Sequence, residues 1–135
     1  MRLTFSQPFP NGKLLTLTIN NVEDLEGNAM SNYQSTFLYF VPEPAEWKDL
    51  IISEFFPDPD PPVGLPNQEF VEIYNRSNKV FNLLNWKLID PGSTGTLKEH
   101  YLFPGEYLIL ATNAGATLFE SYGSVMGVTG MPTLN

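Results

Sequence analysis

Residues 49–75 constrain the fold of this chain more than any other stretch. Two short apolar runs, Leu50–Phe56 and Glu69–Asn75, have the length and the residue types of β-strands. The loop between them is so rich in proline that neither a helix nor a strand can continue across it. Each run carries a glutamate among apolar residues, Glu54 in the first and Glu72 in the second. The pattern predicts two adjacent strands with a carboxylate in each.

The rest of the chain shows the same two-residue alternation of polar and apolar side chains. In Leu14–Asn20, for example, Leu15, Leu17 and Ile19 fall on one face. Further predicted strands are Ser35–Phe40, Val80–Leu83, Trp86–Asp90, Glu99–Phe103 and Tyr107–Thr112. The stretch Pro91–Gly95 is predicted to be a loop, Ala116–Tyr122 one or two helical turns, and Gly123–Asn135 an irregular tail. These patterns, with twelve prolines and ten glycines for tight turns, predict an all-β fold.

Composition excludes several classes of function. The net charge of −8 and the pI near 4.4 would repel a phosphate backbone, so we expect no nucleic-acid partner. The chain has no cysteine, which excludes disulfides, thiolate zinc sites and cysteine nucleophiles. No apolar run approaches the ~20 residues of a membrane span. The N-terminal residues lack the apolar core of a signal peptide, so we expect a piece of a longer exported polypeptide whose signal sequence lies elsewhere.

The first forty-one residues resemble the closing part of a bacterial immunoglobulin-like domain of the kind found in surface-layer and adhesive proteins. The likeness is carried by Leu14–Asn20, by Asp24, Gly27 and Asn28, and by the final strand ending at Phe40. We therefore predict C-terminal strands of such a domain at 1–41. Prolines at 42 and 44 favour extended geometry, which predicts a short semi-rigid linker at 42–48.

Residues 49–135 carry four motifs in order. They are Leu50–Glu54 followed by an Asp-Pro loop, Phe70–Asn75, Asn82–Leu88 and Phe103–Leu110. This order resembles the lamin tail domain, an immunoglobulin-like β-sandwich found in nuclear lamins and in many exported bacterial proteins. The family pattern continues with two further strands after Asn135, so the resemblance implies that the last strands are missing. Open sheet edges would favour self-association by strand addition or exchange.

Few residues have the pattern of a catalytic or metal site. Glu54 and Glu72 could form the acid and nucleophile of a glycosidase, but a small sandwich offers no deep cleft. We favour a structural role in which each glutamate holds loop amides or pairs with a lysine or arginine. The single histidine, His100, has no cysteine or second histidine to complete a zinc site. Calcium is a weak possibility, with candidate ligands Asp58, Asp60, Glu54 and Glu69.

Aromatic residues and the proline loop are the candidate contact residues. Trp86 follows a turn and reads as the core tryptophan of the sandwich. The aromatic set Trp47, Trp86, Tyr74, Tyr101 and Tyr107 could alternatively stack on a sugar. The longest and most rigid loop, Pro57–Pro66, is the best candidate for a contact surface. Its proposed contacts are Pro57, Asp58, Asp60 and Pro62, together with Trp47.

We therefore predict a non-catalytic binding or spacer module of a larger extracellular or cell-surface bacterial protein, with no cofactor. Its partners would be a protein or a glycan at the cell surface. The alternative is an accessory domain of a secreted hydrolase or nuclease that positions substrate for a catalytic domain elsewhere. A catalytic neighbour on the full-length polypeptide would favour the alternative, and a string of immunoglobulin-like repeats would favour adhesion or spacing.

Overall fold

The computed structural model describes residues 3–134, and the chain divides into two compact units, Met1–Val41 and Pro42–Asn135. The strands in chain order are β1 (Lys13–Ile19), β2 (Tyr33–Tyr39), β3 (Leu50–Phe56), β4 (Phe70–Asn75), β5 (Phe81–Asn82), β6 (Lys87–Asp90), β7 (Ser93–Thr96), β8 (Tyr101–Leu102), β9 (Tyr107–Thr112) and β10 (Val125–Val128). A short 3-10 helix, Ala116–Phe119, lies between the last two strands. No helix in residues 3–134 is long and apolar enough to cross a membrane.

The first unit is built on an antiparallel hairpin of β1 and β2, with Lys13 opposite Tyr39 and Ile19 opposite Tyr33. Leu15, Leu17 and Ile19 are half-buried, whereas the residues between them are exposed. The predicted alternation along this strand is therefore confirmed. The assignment of this unit to a bacterial immunoglobulin-like domain remains a prediction.

The second unit is an all-β, immunoglobulin-like sandwich, as predicted. One layer is a four-stranded sheet in the order β10-β9-β4-β3, antiparallel except for the β9–β10 pair. The other layer contains the pairs β5–β8 and β6–β7. An antiparallel bridge between Thr96 and Thr129 connects β7 to the segment after β10. This bridge closes one side of the sandwich, and β3 is the edge strand on the opposite side of its sheet.

The four-stranded sheet is buried on both faces at its centre. On the inner face, Val71, Leu108 and Leu110 pack against Phe81 and Leu102 of the second layer. On the outer face, a smaller cluster packs beneath the 3-10 helix; it comprises Phe70, Ile109, Ala111 and Phe119. Burial on both faces explains why β9 reads as a continuous apolar run instead of an alternating one.

Two sequence predictions were wrong within the second unit. The last three of the five residues in the predicted loop Pro91–Gly95 belong to strand β7, and the predicted irregular tail contains β10. Gly95 is buried in β7, where an added Cβ would lie 2.7 Å from Val128 Cγ1. The glycine therefore permits close packing between β7 and β10, a role that sequence alone does not distinguish from a turn glycine.

The predicted linker residues at 42–48 are held to the second unit by polar contacts. The Glu43 amide donates to the Val80 carbonyl at 2.9 Å. Lys79 Nζ lies 3.2 Å from Glu46 Oε2 and 3.0 Å from Asp49 Oδ2. These bonds attach the segment before β3 to the turn that follows β4.

Candidate functional site

The outer face of the four-stranded sheet carries side chains in cross-strand rows. The register places Ile51 of β3 opposite Tyr74, and Tyr74 opposite Tyr107 of β9. The next row along the strands contains Glu54 and Glu72, with Ile109 beyond them. Residues two apart on a strand share a face, as Glu72 and Tyr74 do on β4, so the tyrosine row and the glutamate row are neighbours.

The two tyrosines form one aromatic surface. The ring centroids of Tyr74 and Tyr107 are 4.3 Å apart and the ring planes are inclined by 23°. Tyr107 is 49% exposed and Tyr74 is half-buried. The stacked rings cover one face of each tyrosine, and their remaining faces and edges offer an apolar surface with little conformational freedom to lose on binding.

The two glutamates face each other across β3 and β4. A β-bulge at Ser53 precedes Glu54, and the Ser53 hydroxyl donates to Glu72 Oε1 at 2.8 Å. Glu54 is exposed, and Glu72 is half-buried. Within residues 3–134 neither glutamate forms an ion pair with a lysine or arginine. The contact that the structure gives Glu72 is the Ser53 hydroxyl, and the two glutamates form a surface rich in hydrogen-bond acceptors.

A shallow cleft of about 180 Å³ lies next to the glutamates. Its lining residues are Glu54, Leu65, Phe70, Glu72, Ile109, Phe119 and Tyr122. The Tyr122 hydroxyl donates to the Gly64 carbonyl at 3.3 Å. This bond holds the proline loop against the segment after the 3-10 helix, at the rim of the cleft.

Two of the four candidate calcium ligands accept hydrogen bonds from backbone amides. Asp58 Oδ1 accepts from the Asp60 amide at 3.3 Å, and Glu69 Oε2 accepts from the Leu134 amide at 3.0 Å. Across residues 3–134, no three histidine, aspartate or glutamate side chains are grouped as metal ligands. Calcium ordinarily takes six or more oxygens, so a calcium site at these four carboxylates stays a prediction.

The predicted contact residues lie at two different ends of β3. Trp47 precedes the strand and is 88% exposed, with Lys48 Nζ 6.0 Å from its ring centroid. The loop carrying Pro57, Asp58, Asp60 and Pro62 follows the strand. A seven-residue strand is about 20 Å long, so Trp47 and the loop do not form one contact surface.

The remaining candidates have separate locations. Trp86 is partly buried against the inner core, with its ring 6.2 Å from that of Phe81, as predicted for a core tryptophan. Tyr101 donates to Glu99 Oε1 at 3.2 Å, and the nearby negative charge of Glu99 raises the pKa of the tyrosine. His100 is half-buried, and its carbonyl accepts from the Leu83 amide. The five aromatics therefore lie in separate places, and Tyr74 and Tyr107 stack on each other.

The adjacency of Tyr74, Tyr107, Glu72 and Glu54 was not found from the sequence. Period-two spacing places Glu72 and Tyr74 on one face of β4. It does not show that β9 pairs with β4, because strands β5 to β8 lie between them in the sequence. The pairing register of β4 and β9, which places Tyr107 opposite Tyr74, cannot be deduced from the sequence pattern.

Comparison with known proteins adds a family assignment. A family model described as Lamin Tail Domain matches residues 43–131, which is more than half of the chain. The match starts at Glu43, whose amide bonds to the Val80 carbonyl, and so includes all but the first residue of the predicted linker at 42–48. Neither a curated protein nor a solved structure gives a match to this chain.

Proposed function

This chain belongs to the lamin tail domain family, and we propose that it is a non-catalytic binding module of a larger exported or cell-surface bacterial protein. We propose further that it binds through the outer face of its four-stranded sheet and that the ligand is a neutral glycan. The net charge of −8 favours solubility, and this is its one contribution to the case for an exported protein. It also disfavours anionic ligands.

The observation that carries the proposal is the exposed stack of Tyr74 and Tyr107 beside Glu72. Sugar rings present apolar C–H faces that pack on aromatic rings, and their hydroxyl groups donate to carboxylates. The structure offers both groups within neighbouring rows of a rigid sheet. Ser53, which donates to Glu72, fixes the orientation of that carboxylate.

The same geometry argues against hydrolysis. Glycosidases protonate the leaving group from one carboxyl while the second acts from the other side of the sugar, within a cleft that encloses the bond. Glu54 and Glu72 lie side by side on one sheet face, and the adjacent cleft of about 180 Å³ is smaller than the ~300–1,000 Å³ of ordinary ligand pockets. An open surface of this kind binds a ligand without excluding water from it.

The test is binding of soluble neutral oligosaccharides to the whole chain, measured on an array and then by calorimetry. Tyr107→Ala should weaken binding by about 5- to 150-fold, since stacking on one ring contributes on the order of 1–3 kcal/mol. Glu72→Gln should weaken it less, because the amide keeps one acceptor oxygen.

Tyr33→Ala is the matched control, because Tyr33 is 50% exposed but belongs to β2 of the first unit. This variant should bind like the wild type. The proposal is overturned if the wild-type chain binds no neutral glycan, or if Tyr107→Ala and Tyr33→Ala bind equally well.

A further inference from the structure

The shallow cleft beside the glutamates adjoins the tyrosine stack on the outer face of the sheet. On β4, Glu72 lies two residues before Tyr74, and on β9, Ile109 lies two residues after Tyr107. Glu72 and Ile109 both line the cleft, so the cleft begins one row away from the tyrosines. Residues two apart on a strand are separated by about 7 Å. A sugar ring packed on the tyrosines can therefore place a substituent a few bonds long over the cleft.

The walls of the cleft are apolar and packed. Leu65 comes from the proline loop, and Phe119 and Tyr122 come from the 3-10 helix and the turn after it. The ring centroid of Phe119 lies 5.1 Å from that of Phe70 and 6.1 Å from that of Tyr122. The hydrogen bond from the Tyr122 hydroxyl to the Gly64 carbonyl joins the two walls. The cleft is thus a preformed apolar recess.

The polar side chains of the cleft can accept hydrogen bonds but have no hydrogen to donate into it. Glu54 and Glu72 carry carboxylates, which act as acceptors when ionised. The Tyr122 hydroxyl donates its hydrogen to the Gly64 carbonyl, and the Ser53 hydroxyl donates its hydrogen to Glu72. A ligand group in the cleft must therefore bring the donor itself. Groups that only accept, such as a carboxylate or an ether oxygen, are disfavoured.

Volume and lining together select one kind of group. The cleft of about 180 Å³ has the volume of about six water molecules at ~30 Å³ each, which is enough for a substituent of a sugar ring. A hydroxyl group donates to a carboxylate but covers little of the apolar walls. An ammonium group loses its hydration against those walls, which is costly. An acetamido group offers an N–H to a carboxylate and a methyl group to the walls, so it matches both.

We propose that the glycan carries 2-acetamido groups and that one of them binds in this cleft. Its N–H donates to the glutamates, its methyl group packs on Leu65 and Phe119, and its carbonyl oxygen stays in water at the open mouth of the cleft. The sugar ring that carries it packs on the tyrosine stack. This inference rests on the proposed function and adds to it the class of sugar that the site selects.

The first test compares neutral tetrasaccharides that share linkage and ring stereochemistry. Chitotetraose carries an acetamido group on every ring, and cellotetraose carries a hydroxyl group in its place. In calorimetry with the whole chain, chitotetraose should bind at least about tenfold more tightly, since one small apolar group in a fitted pocket distinguishes ligands by about 10- to 200-fold. The tetramer of glucosamine, with free amines, should bind more weakly than chitotetraose in about 0.5 M salt, which screens its long-range attraction to the net charge of −8.

The outcomes separate this inference from the proposed function. The acetamido site alone is overturned if chitotetraose binds no more tightly than cellotetraose while some neutral glycan on the array does bind. It is also overturned if the glucosamine tetramer binds more tightly than chitotetraose, because the cleft then selects a cation. If no neutral glycan binds, both the inference and the proposed function are wrong.

A variant of the cleft wall provides the second test. Leu65 is half-buried and lines the cleft, whereas Val63 of the same loop is 82% exposed and does not line it. Leu65→Ala should lower the preference for chitotetraose over cellotetraose about threefold or more, because it removes apolar contacts with the methyl group. Val63→Ala should keep the wild-type preference, and Tyr107→Ala should weaken the binding of both tetramers.

The preference is a ratio of two affinities measured on one variant. A partial loss of folded protein lowers both affinities alike, so it does not mimic the expected change. A preference that Leu65→Ala leaves unchanged, or that Val63→Ala lowers equally, overturns the acetamido site.

Discussion

Replacing Asn75 tests whether the sandwich depends on one buried polar side chain. Asn75 ends β4 and is fully buried. Its Nδ2 donates to the carbonyls of Lys79 and Leu102, at 2.8 and 3.0 Å. Its Oδ1 accepts from the amide and the hydroxyl of Ser77, at 3.0 and 2.8 Å. The side chain therefore joins the turn after β4 to strand β8 of the other layer.

The expected loss follows from these four bonds. Each contributes about 0.5–1.5 kcal/mol net, and a buried partner left without a bond costs about 1–3 kcal/mol. The Leu102 carbonyl is buried, whereas the Lys79 carbonyl and the Ser77 groups are partly accessible to water. Asn75→Ala should therefore lower the free energy of unfolding of the second unit by about 3 kcal/mol.

Urea unfolding followed by tryptophan fluorescence is a suitable assay, because both tryptophans, Trp47 and Trp86, belong to the second unit. With a slope of about 1–2 kcal/mol/M, the unfolding midpoint should fall by about 1.5–3 M. Asn78→Ala, in the same turn but exposed, should change the midpoint little. A loss below about 0.5 kcal/mol for Asn75→Ala would refute the reasoning, because it would mean that water replaces all four bonds.

Two further predictions concern charge and close packing. The Glu46 amide and the Lys79 ammonium both bond to Asp49 and hold the pKa of its carboxyl below the usual 3.8. Its contribution to stability is thus present above pH 4 and lost as pH falls through the lowered pKa, so Asp49→Asn should flatten the pH dependence of the melting temperature below about pH 4. Gly95→Ala brings a Cβ within 2.7 Å of Val128 Cγ1 and should destabilise the second unit by about 1–3 kcal/mol in the urea assay.

Each of these predictions has a control. Asp90→Asn removes a carboxylate that does not pair with Lys79, and it should leave the melting temperature below about pH 4 as in the wild type. If the melting temperature of Asp49→Asn falls below about pH 4 as steeply as that of the wild type, the pKa argument is wrong. Gly123→Ala, where a Cβ would meet nothing within 4 Å, should be nearly neutral. If Gly95→Ala is as stable as the wild type, β7 and β10 move apart to admit the Cβ without loss of stability.

The local sequence pattern was sufficient to predict most of the strands. Leu50–Phe56 and Tyr107–Thr112 were predicted with the bounds that the structure shows for β3 and β9. Both are bounded by strong turn residues and rich in β-forming side chains, so the information lies within a few residues. β10 was not predicted because its four residues, Val125–Val128, include a glycine and are held by parallel pairing with β9. Pairing of that kind is decided by the core and leaves little local signal.

The candidate site is less predictable than the fold for the same reason. Tyr74 and Tyr107 become a stack only through the β4–β9 register, and Glu54 faces Glu72 only because the bulge at Ser53 restores the phase of β3. Without the bulge, Ser53 would take the place opposite Glu72 and Glu54 would turn to the inner face. An insertion of one residue therefore keeps a carboxylate out of the core and doubles the negative charge on the outer face.

Like charges directly opposite each other destabilise an antiparallel pair, so the Glu54–Glu72 pair has a cost in stability. A basic residue at either position would remove that cost, yet both positions are acidic and β3 has no lysine or arginine. In an isolated chain this charge stays unneutralised at the edge of the sheet. Removing one of the two charges, as Glu54→Gln does, relieves the repulsion. Glu54→Gln should therefore stabilise β3, and its unfolding midpoint in the urea assay should lie above that of the wild type.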